Sequence, residues 1–249
     1  MSLSSARSEV TDRYNSKRLP SQHQATPPLG FLAVQVSIRR PPGDPFHPST
    51  WPFPLIHALV PGTSESQIVT STAYPPSFID RFVAASNELA ERGCVGIITS
   101  CGFLALAQRE LSERTQIPIA TSALVQLPSI LAILGVAEVV GMLTYDEERL
   151  GGGRLDALRV DAGRVRIQTM PRNGHLQRVI QKGEKYNKVV MEREIVDAAG
   201  ELVERVERRM PPYAEAIQRR VGVPVYHVYT MGLWFYSGLV RRTPERWKN

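Results

Sequence analysis

Short apolar runs alternate with amphipathic stretches along the chain after residue 28. The runs are apolar throughout, which is typical of strands in a parallel sheet that is covered on both faces. The predicted strands are Leu29–Val36, Leu55–Val60, Val95–Thr99, Gln116–Ala120, Glu138–Asp146, Val165–Thr169 and Val223–Val228. Strands of this kind, separated by helical segments, predict an α/β fold with mainly parallel sheets flanked by helices.

Apolar residues at helical spacing predict helices between these strands. The predicted helices extend from Ser77 to Gly93, Phe103 to Arg114, Val125 to Leu134, Val189 to Arg209, Pro212 to Val221 and Thr230 to Val240, with another near Leu155. The polar stretch from Gly174 to Asn187 shows no such periodicity. We therefore assign no element to it.

One predicted strand ends on a cysteine. Val95–Thr99 continues through Ser100 and Cys101, and the chain turns at Gly102 into a helix. The free N–H groups and the dipole at a helix start favour an anion, so they can stabilise a thiolate there. Cys101 is therefore the first candidate catalytic residue. The alternative is that it is a small buried hydrophobic residue at a strand end.

Hydroxyl-bearing residues stand at the carboxyl ends of three predicted strands. They form the pairs Thr99-Ser100, Thr121-Ser122 and Thr144-Tyr145. In a parallel sheet these ends meet at one edge, which is where open α/β sheets place their ligand sites. We expect the three pairs to face one crevice. Asp44 lies in the loop after the first strand, where a binding role and a turn-capping role are equally compatible with the sequence.

Charge and cysteine content exclude several functions. The formal charge of the 249 residues is +6, of which +2 lies in residues 1–28 and +3 in residues 241–249. The body is close to neutral, so we expect no nucleic-acid binding. Two cysteines and five scattered histidines are too few for a disulfide framework or a metal site. No apolar run reaches the roughly 18 residues of a membrane span, and no secretory signal is visible. A cytoplasmic protein is expected.

The segment Ile98-Thr99-Ser100-Cys101-Gly102-Phe103 resembles a strand end of the aspartate/glutamate/hydantoin racemase superfamily, in its members with a Thr-Ser-Cys-Gly-Phe motif. The resemblance extends to Pro41–Pro45, Thr50–Pro54, Leu143–Asp146, Met210–Ala214 and Trp234-Phe235. It implies two similar α/β lobes with the active site between them. The first lobe would be residues 29–145, and the second would be residues 146–241, whose closing segment can pack back on the first. A disordered tail, 1–28, and a basic tail, 242–249, flank the lobes.

The resemblance also implies a reaction. Members of the superfamily hold a small carboxylate between two thiols, one from each lobe, without a cofactor or a metal ion. One thiolate removes the proton α to the carbonyl group, and the other thiol returns a proton to the opposite face. Preorganised donors must hold the enolate-like intermediate. The residues expected to bind the substrate around Cys101 are Asp44, Thr99, Ser100, Gly102, Phe103, Thr121, Ser122, Thr144 and Tyr145.

The sequence departs from the family at the second cysteine. That residue should come just before Met210-Pro211-Pro212-Tyr213, but Glu207-Arg208-Arg209 stand there, so the cysteine and its strand are expected to be missing. Cys94 cannot replace it, because it lies about 20 Å from Cys101 at ~3.3 Å per strand residue.

Three functions stay open for a chain with one such thiol. The first is a racemase or isomerase that uses Cys101 on a small carboxylic or amino acid. The second is a single-thiol, decarboxylase-like lyase, although the family's known decarboxylase uses the thiol of the other lobe. The third is a non-catalytic or truncated relative. The expected partner is the small carboxylate, and a second copy of the chain is a further option.

Overall fold

The computed structural model describes residues 26–36, 39–150, 153–205, 219 and 223–240. Within them, the first sheet consists of the strands β1 (Leu29–Ala33), β2 (Leu55–Leu59), β3 (Ile97–Ile98) and β4 (Ile119–Ala120). Their order is β2-β1-β3-β4, and every neighbouring pair is parallel. All four strands were predicted. The structure shortens β3 and β4 to two residues each, because only those residues pair in the ladder.

Helices connect these strands, and the apolar spacing predicts all of them except the first. The helices up to β4 are α1 (Glu65–Ile68), α2 (Pro76–Glu91) and α3 (Gln108–Arg114). In α2, Phe78, Phe82 and Leu89 are buried, as expected. This helix starts at Pro76 rather than after a cap at Ser77, because a proline in the first turn has no N–H group to leave unpaired.

Two predicted helices begin as tighter 3₁₀ turns. The chain after β3 forms a 3₁₀ helix, Gly102–Ala107, before α3. The chain after β4 does the same with Ala123–Gln126 before α4 (Leu127–Ala132). Each 3₁₀ turn therefore lies directly at the carboxyl end of a strand, where the candidate site residues are.

The second sheet pairs two parallel strands, β5 (Val140–Thr144) and β6 (Val165–Thr169). The short helices α5 (Glu147–Leu150) and α6 (Gly153–Ala157) lie between them in sequence. Two longer helices follow, α7 (His175–Lys182) and α8 (Lys188–Arg205). The sequence gives no sign of α7, because the Glu194 carboxylate on α8 accepts the first N–H groups of α7 from His175 and Leu176. A cap supplied from another helix leaves no local pattern.

The predicted strand Val223–Val228 is wrong. Residues 223–227 are irregular, and Val228 is the first residue of the closing helix α9 (Val228–Leu239). His227 caps this helix: its Nδ1 atom accepts the Tyr229 N–H group, and Thr230 Oγ1 accepts the His227 N–H group. The capping box ends the extended run that the apolar residues suggested.

Helix α9 packs against the first sheet. The buried residues Met231 and Tyr236 of α9 share a core with Phe31 of β1 and with Trp51 and Phe53. A larger core lies on the other face of this sheet and includes residues of α2, β5 and β6. A third core joins α7 and α8 to β5.

Several expectations fall outside the described residues. They are the disordered tail before residue 26, the basic tail 242–249, the helix Pro212–Val221 except for position 219, and the junction Glu207–Arg209 where a strand and cysteine were expected to be missing. Among the helices that the structure does describe, none is long and apolar enough to cross a membrane.

Candidate active site

Two adjoining cavities lie at the carboxyl ends of β3, β4 and β5. We call the first the thiol cavity; it has a volume of about 240 Å³ and is lined by Cys101. The second, the apolar cavity, has a volume of about 320 Å³ and is lined mostly by aliphatic side chains of α4, β5, α7 and α8. The two cavities share Arg40, Ser100, Gly102, Leu124, Met142, Leu143, Leu176 and Ile180 in their walls. The structure therefore brings the three strand ends to one region.

Cys101 lies at the start of the 3₁₀ turn after β3, and its thiol is half-buried. Burial raises the pKa of the Cys101 thiol to about 11. The backbone N–H groups of Phe103 and Leu104 and the positive charge of Arg154 act in the opposite direction. The turn thus provides two anion-stabilising donors for the thiol, the N–H groups of Phe103 and Leu104.

Thr99 and Thr121 hold the ends of β3 and β4 together. Both side chains are fully buried, and neither lines a cavity. Thr99 Oγ1 donates to the Thr121 carbonyl at 2.5 Å and accepts the Cys101 N–H group at 3.3 Å. Thr121 donates to Gln108 Oε1 through its N–H and hydroxyl groups, each at 2.9 Å. These contacts fix the position of Cys101 and leave neither hydroxyl facing a ligand.

The serines and Gly102 are closer to the cavities. Ser100 is exposed and lines both cavities, as does Gly102. Ser122 is buried in the wall of the apolar cavity, where its hydroxyl accepts the Leu124 N–H group at 3.1 Å. Of these residues, Ser100 is the one best placed to offer a hydroxyl group to a ligand.

Asp44 acts on Arg40, a residue that the sequence did not single out. Asp44 Oδ1 caps its own turn by accepting the Phe46 N–H group at 2.8 Å, and it pairs with Arg40 at 3.5 Å. The Arg40 guanidinium also lies 5.4 Å from the centre of the Phe46 ring. These contacts restrain Arg40 in the walls of both cavities. It is a cationic group that can receive a carboxylate.

Thr144 and Tyr145 line the thiol cavity together with Glu65. The Tyr145 hydroxyl accepts a hydrogen bond from Gln181 Nε2 at 2.9 Å and faces the Glu65 carboxylate. Burial and Glu65 raise the pKa of Tyr145 to about 12. Glu65 Oε1 is buried and makes no hydrogen bond of normal geometry to the described residues. The cavity wall therefore carries an acidic group opposite in charge to Arg40.

His227, which the sequence does not single out, lines the apolar cavity. Burial lowers the pKa of His227 to about 4, so the ring is neutral at neutral pH. Because Nδ1 accepts the Tyr229 N–H group, the ring proton is on Nε2. No local pattern could have revealed this residue, since α9 brings it to the site from the far end of the chain.

Solved structures of arylmalonate decarboxylase share this architecture. The unliganded enzyme matches with a TM-score of 0.53 over 86% of this chain and 92% of its own, at 18% sequence identity. Its Gly74Cys mutant, in a sulfate-associated form, matches with a TM-score of 0.54 over 86% and 93% of the two chains, again at 18% identity. This chain therefore has the α/β fold of arylmalonate decarboxylase.

The similar curated proteins are lyases. Dimethylsulfoniopropionate lyase 3 of Emiliania huxleyi (strain CCMP1516) is 28% identical over 136 residues, which are 55% of this chain and 34% of the relative. Lyase 7 of the same organism is 23% identical over 236 residues, 86% of this chain and 67% of the relative. The dimethylsulfoniopropionate lyase of Durusdinium sp. clade D is 24% identical over 229 residues, 85% and 75% of the two chains.

The chain therefore spans about a third of the length of the first of these relatives. No protein-family model matches it.

Proposed function

We propose that this protein is a cofactor-independent lyase. The Cys101 thiolate removes the proton α to the carboxylate of a small acid, and a leaving group departs from the neighbouring β-carbon. The observation that carries this proposal is that one thiol lines the cavities, since the chain's other cysteine, Cys94, is buried in the core. Elimination requires one base, whereas racemisation also requires a proton donor on the opposite face.

The charges in the thiol cavity suggest the kind of substrate. Arg40 and Glu65 line the same cavity and carry opposite charges. This pair is complementary to a zwitterion whose carboxylate lies towards Arg40 and whose cationic leaving group lies towards Glu65. The relatives are named for dimethylsulfoniopropionate, which carries a carboxylate and a β-sulfonium group. We take it as the test substrate.

The reaction balances without a further reactant. The α-proton passes to the Cys101 sulfur, and the C–H electron pair becomes the new carbon–carbon double bond. The bond between the β-carbon and sulfur breaks, and its electron pair leaves with dimethyl sulfide. Acrylate remains, and the Cys101 proton is then lost to water. The raised pKa of Cys101, about 11, suits the step, because the conjugate base of a weaker acid is a stronger base towards a weakly acidic C–H bond.

The test is acrylate formation followed by proton NMR. We expect the protein to convert dimethylsulfoniopropionate and to leave the neutral thioether, 3-(methylthio)propionate, unchanged, because a neutral thioether leaves as an unstable thiolate. No acrylate from the sulfonium compound over a broad pH range would refute the lyase assignment for this substrate. Deuterium exchange at the α-carbon without acrylate would show proton abstraction with no elimination.

A racemase or isomerase is the second candidate, because the strand end Thr99-Ser100-Cys101-Gly102-Phe103 resembles that of the aspartate/glutamate/hydantoin racemase superfamily. It predicts that a chiral α-substituted acid loses optical rotation in D₂O while deuterium enters the α-carbon. Deuterium exchange with retained optical rotation would show that the proton is removed from and returned to the same face of the α-carbon. No exchange with any acid, together with no acrylate from the sulfonium carboxylate, would identify a non-catalytic relative.

A further inference from the structure

Arg154 is a buried cation next to the thiol cavity. Its side chain is 1% exposed, and no carboxylate among the described residues pairs with it. Its guanidinium instead donates to backbone carbonyl groups: Nε to Phe103 at 3.1 Å, Nη1 to Arg149 at 3.0 Å and to Leu150 at 2.5 Å, and Nη2 to Thr70. Burying a charge without a paired carboxylate costs free energy, which indicates that the position of Arg154 serves a purpose.

The contacts of Arg154 converge on Phe103. The Phe103 carbonyl accepts from Arg154 and, at 3.0 Å, from the Tyr74 hydroxyl. The guanidinium carbon also lies 5.0 Å from the centre of the Phe103 ring. Phe103 is thus held both at its backbone and at its side chain. Because the N–H groups of Phe103 and Leu104 lower the pKa of the Cys101 thiol, fixing the position of Phe103 also fixes these donors.

Arg154 also acts on Cys101 through its charge. The positive charge of Arg154 lowers the pKa of the Cys101 thiol, whereas burial and the Cys101 thiolate raise the pKa of Tyr74. Arg40, Glu65 and Tyr145 complete the titratable groups on the walls of the thiol cavity.

We propose that Arg154 is the positioning residue of Cys101, holding the Phe103 turn so that its N–H groups face the sulfur and supplying the positive charge that stabilises the thiolate. This role rests on the proposed function of Cys101 as the base.

The test measures the Cys101 thiolate without any substrate. In a Cys94→Ala background, the rate of alkylation by iodoacetamide between pH 7 and 11 reports the ionised Cys101 thiol. Arg154→Gln keeps neutral N–H donors and removes the charge, so we expect about tenfold slower alkylation at pH 8, equivalent to one unit of pKa. Arg154→Lys keeps the charge and should stay within about threefold of the parent rate.

Arg164→Gln is the matched control. Arg164 also donates to backbone carbonyls, those of Leu131, Gly135 and Glu138, but none of these residues lines either cavity, whereas Phe103 lines the thiol cavity. We expect its alkylation profile to equal that of the parent. A folded Arg154→Gln variant with the parent profile would overturn the proposal. If that variant does not fold, a tenfold loss in folded Arg154→Lys overturns it instead, and a parent-like Lys profile supports it.

The two proposals fail separately. Alkylation needs no lyase activity, so a shifted profile with no acrylate formation would refute the proposed function and retain the positioning role. Acrylate formation with an unshifted alkylation profile for Arg154→Gln would support the proposed function and refute the positioning role.

Discussion

The Cys101 thiolate is a strong base, but only a small fraction of the Cys101 thiol is ionised near neutral pH. With its pKa raised to about 11 by burial, roughly one thiol in a thousand is ionised at pH 8. If the thiolate is the reactive form, kcat/KM rises about tenfold per pH unit between pH 7 and 10, because the thiolate population does so. The pH profile of acrylate formation checks this. A plateau below pH 9 would show that another group, or a less perturbed thiol, limits the reaction.

Glu65 is the residue that should set the preference for a cationic leaving group. Glu65→Gln keeps the size of the side chain and removes its charge, so KM for a sulfonium carboxylate should rise about tenfold. The matched control is Glu88→Gln, an exposed carboxylate on α2 whose loss should leave KM unchanged. Equal KM values for the Glu65→Gln variant and the parent would place the cationic group elsewhere.

At the scale of elements, the closing helix α9 offers two glycines in contrasting surroundings. A Cβ atom at Gly232 would lie 2.3 Å from the Trp51 ring, whereas a Cβ atom at Gly238 would meet nothing within 4 Å. Gly232→Ala should therefore destabilise the protein by about 1–3 kcal/mol through overpacking. Gly238→Ala should stabilise it by up to about 1 kcal/mol through helix propensity. Urea unfolding measures both, and equal effects would contradict the packing of α9 on Trp51.

Elements with a strong local pattern could be predicted, and those fixed by distant partners could not. Strand β6 has the predicted bounds, Val165–Thr169, and the apolar face of α2 is the predicted one. Helix α7 was missed because its first N–H groups are capped by Glu194, from another helix. Residues 223–227 were assigned to a strand because their apolar run resembles one, but the His227 cap starts a helix there.

Local pattern also decides which site residues can be predicted. The sequence indicates Cys101 and the strand-end hydroxyl groups because each of them directly follows an apolar run. Ser100, Ser122, Thr144 and Tyr145 do reach the cavities, while Thr99 and Thr121 are turned into the interior. The charged groups Arg40, Glu65 and Arg154 could not be singled out, because tertiary packing alone brings them to the thiol.

For the whole molecule, one core joins the two sheets. The larger apolar core contains Leu32 and Ile97 of the first sheet together with Val140 and Val165 of the second. Unfolding either sheet would expose the apolar surface that the other sheet buries. We therefore expect a single cooperative transition in calorimetry. Two resolved transitions would show that the two sheets unfold independently.

We propose above that the Cys101 thiolate starts an elimination. The most direct measurement compares acrylate formation from the sulfonium carboxylate by the parent, Cys101→Ala and Cys94→Ala proteins. Cys94 is the matched control, because it is a buried thiol that lines neither cavity. We predict that Cys101→Ala lowers kcat roughly a thousandfold, whereas Cys94→Ala stays within about threefold of the parent. Equal rates for parent and Cys101→Ala would contradict the account.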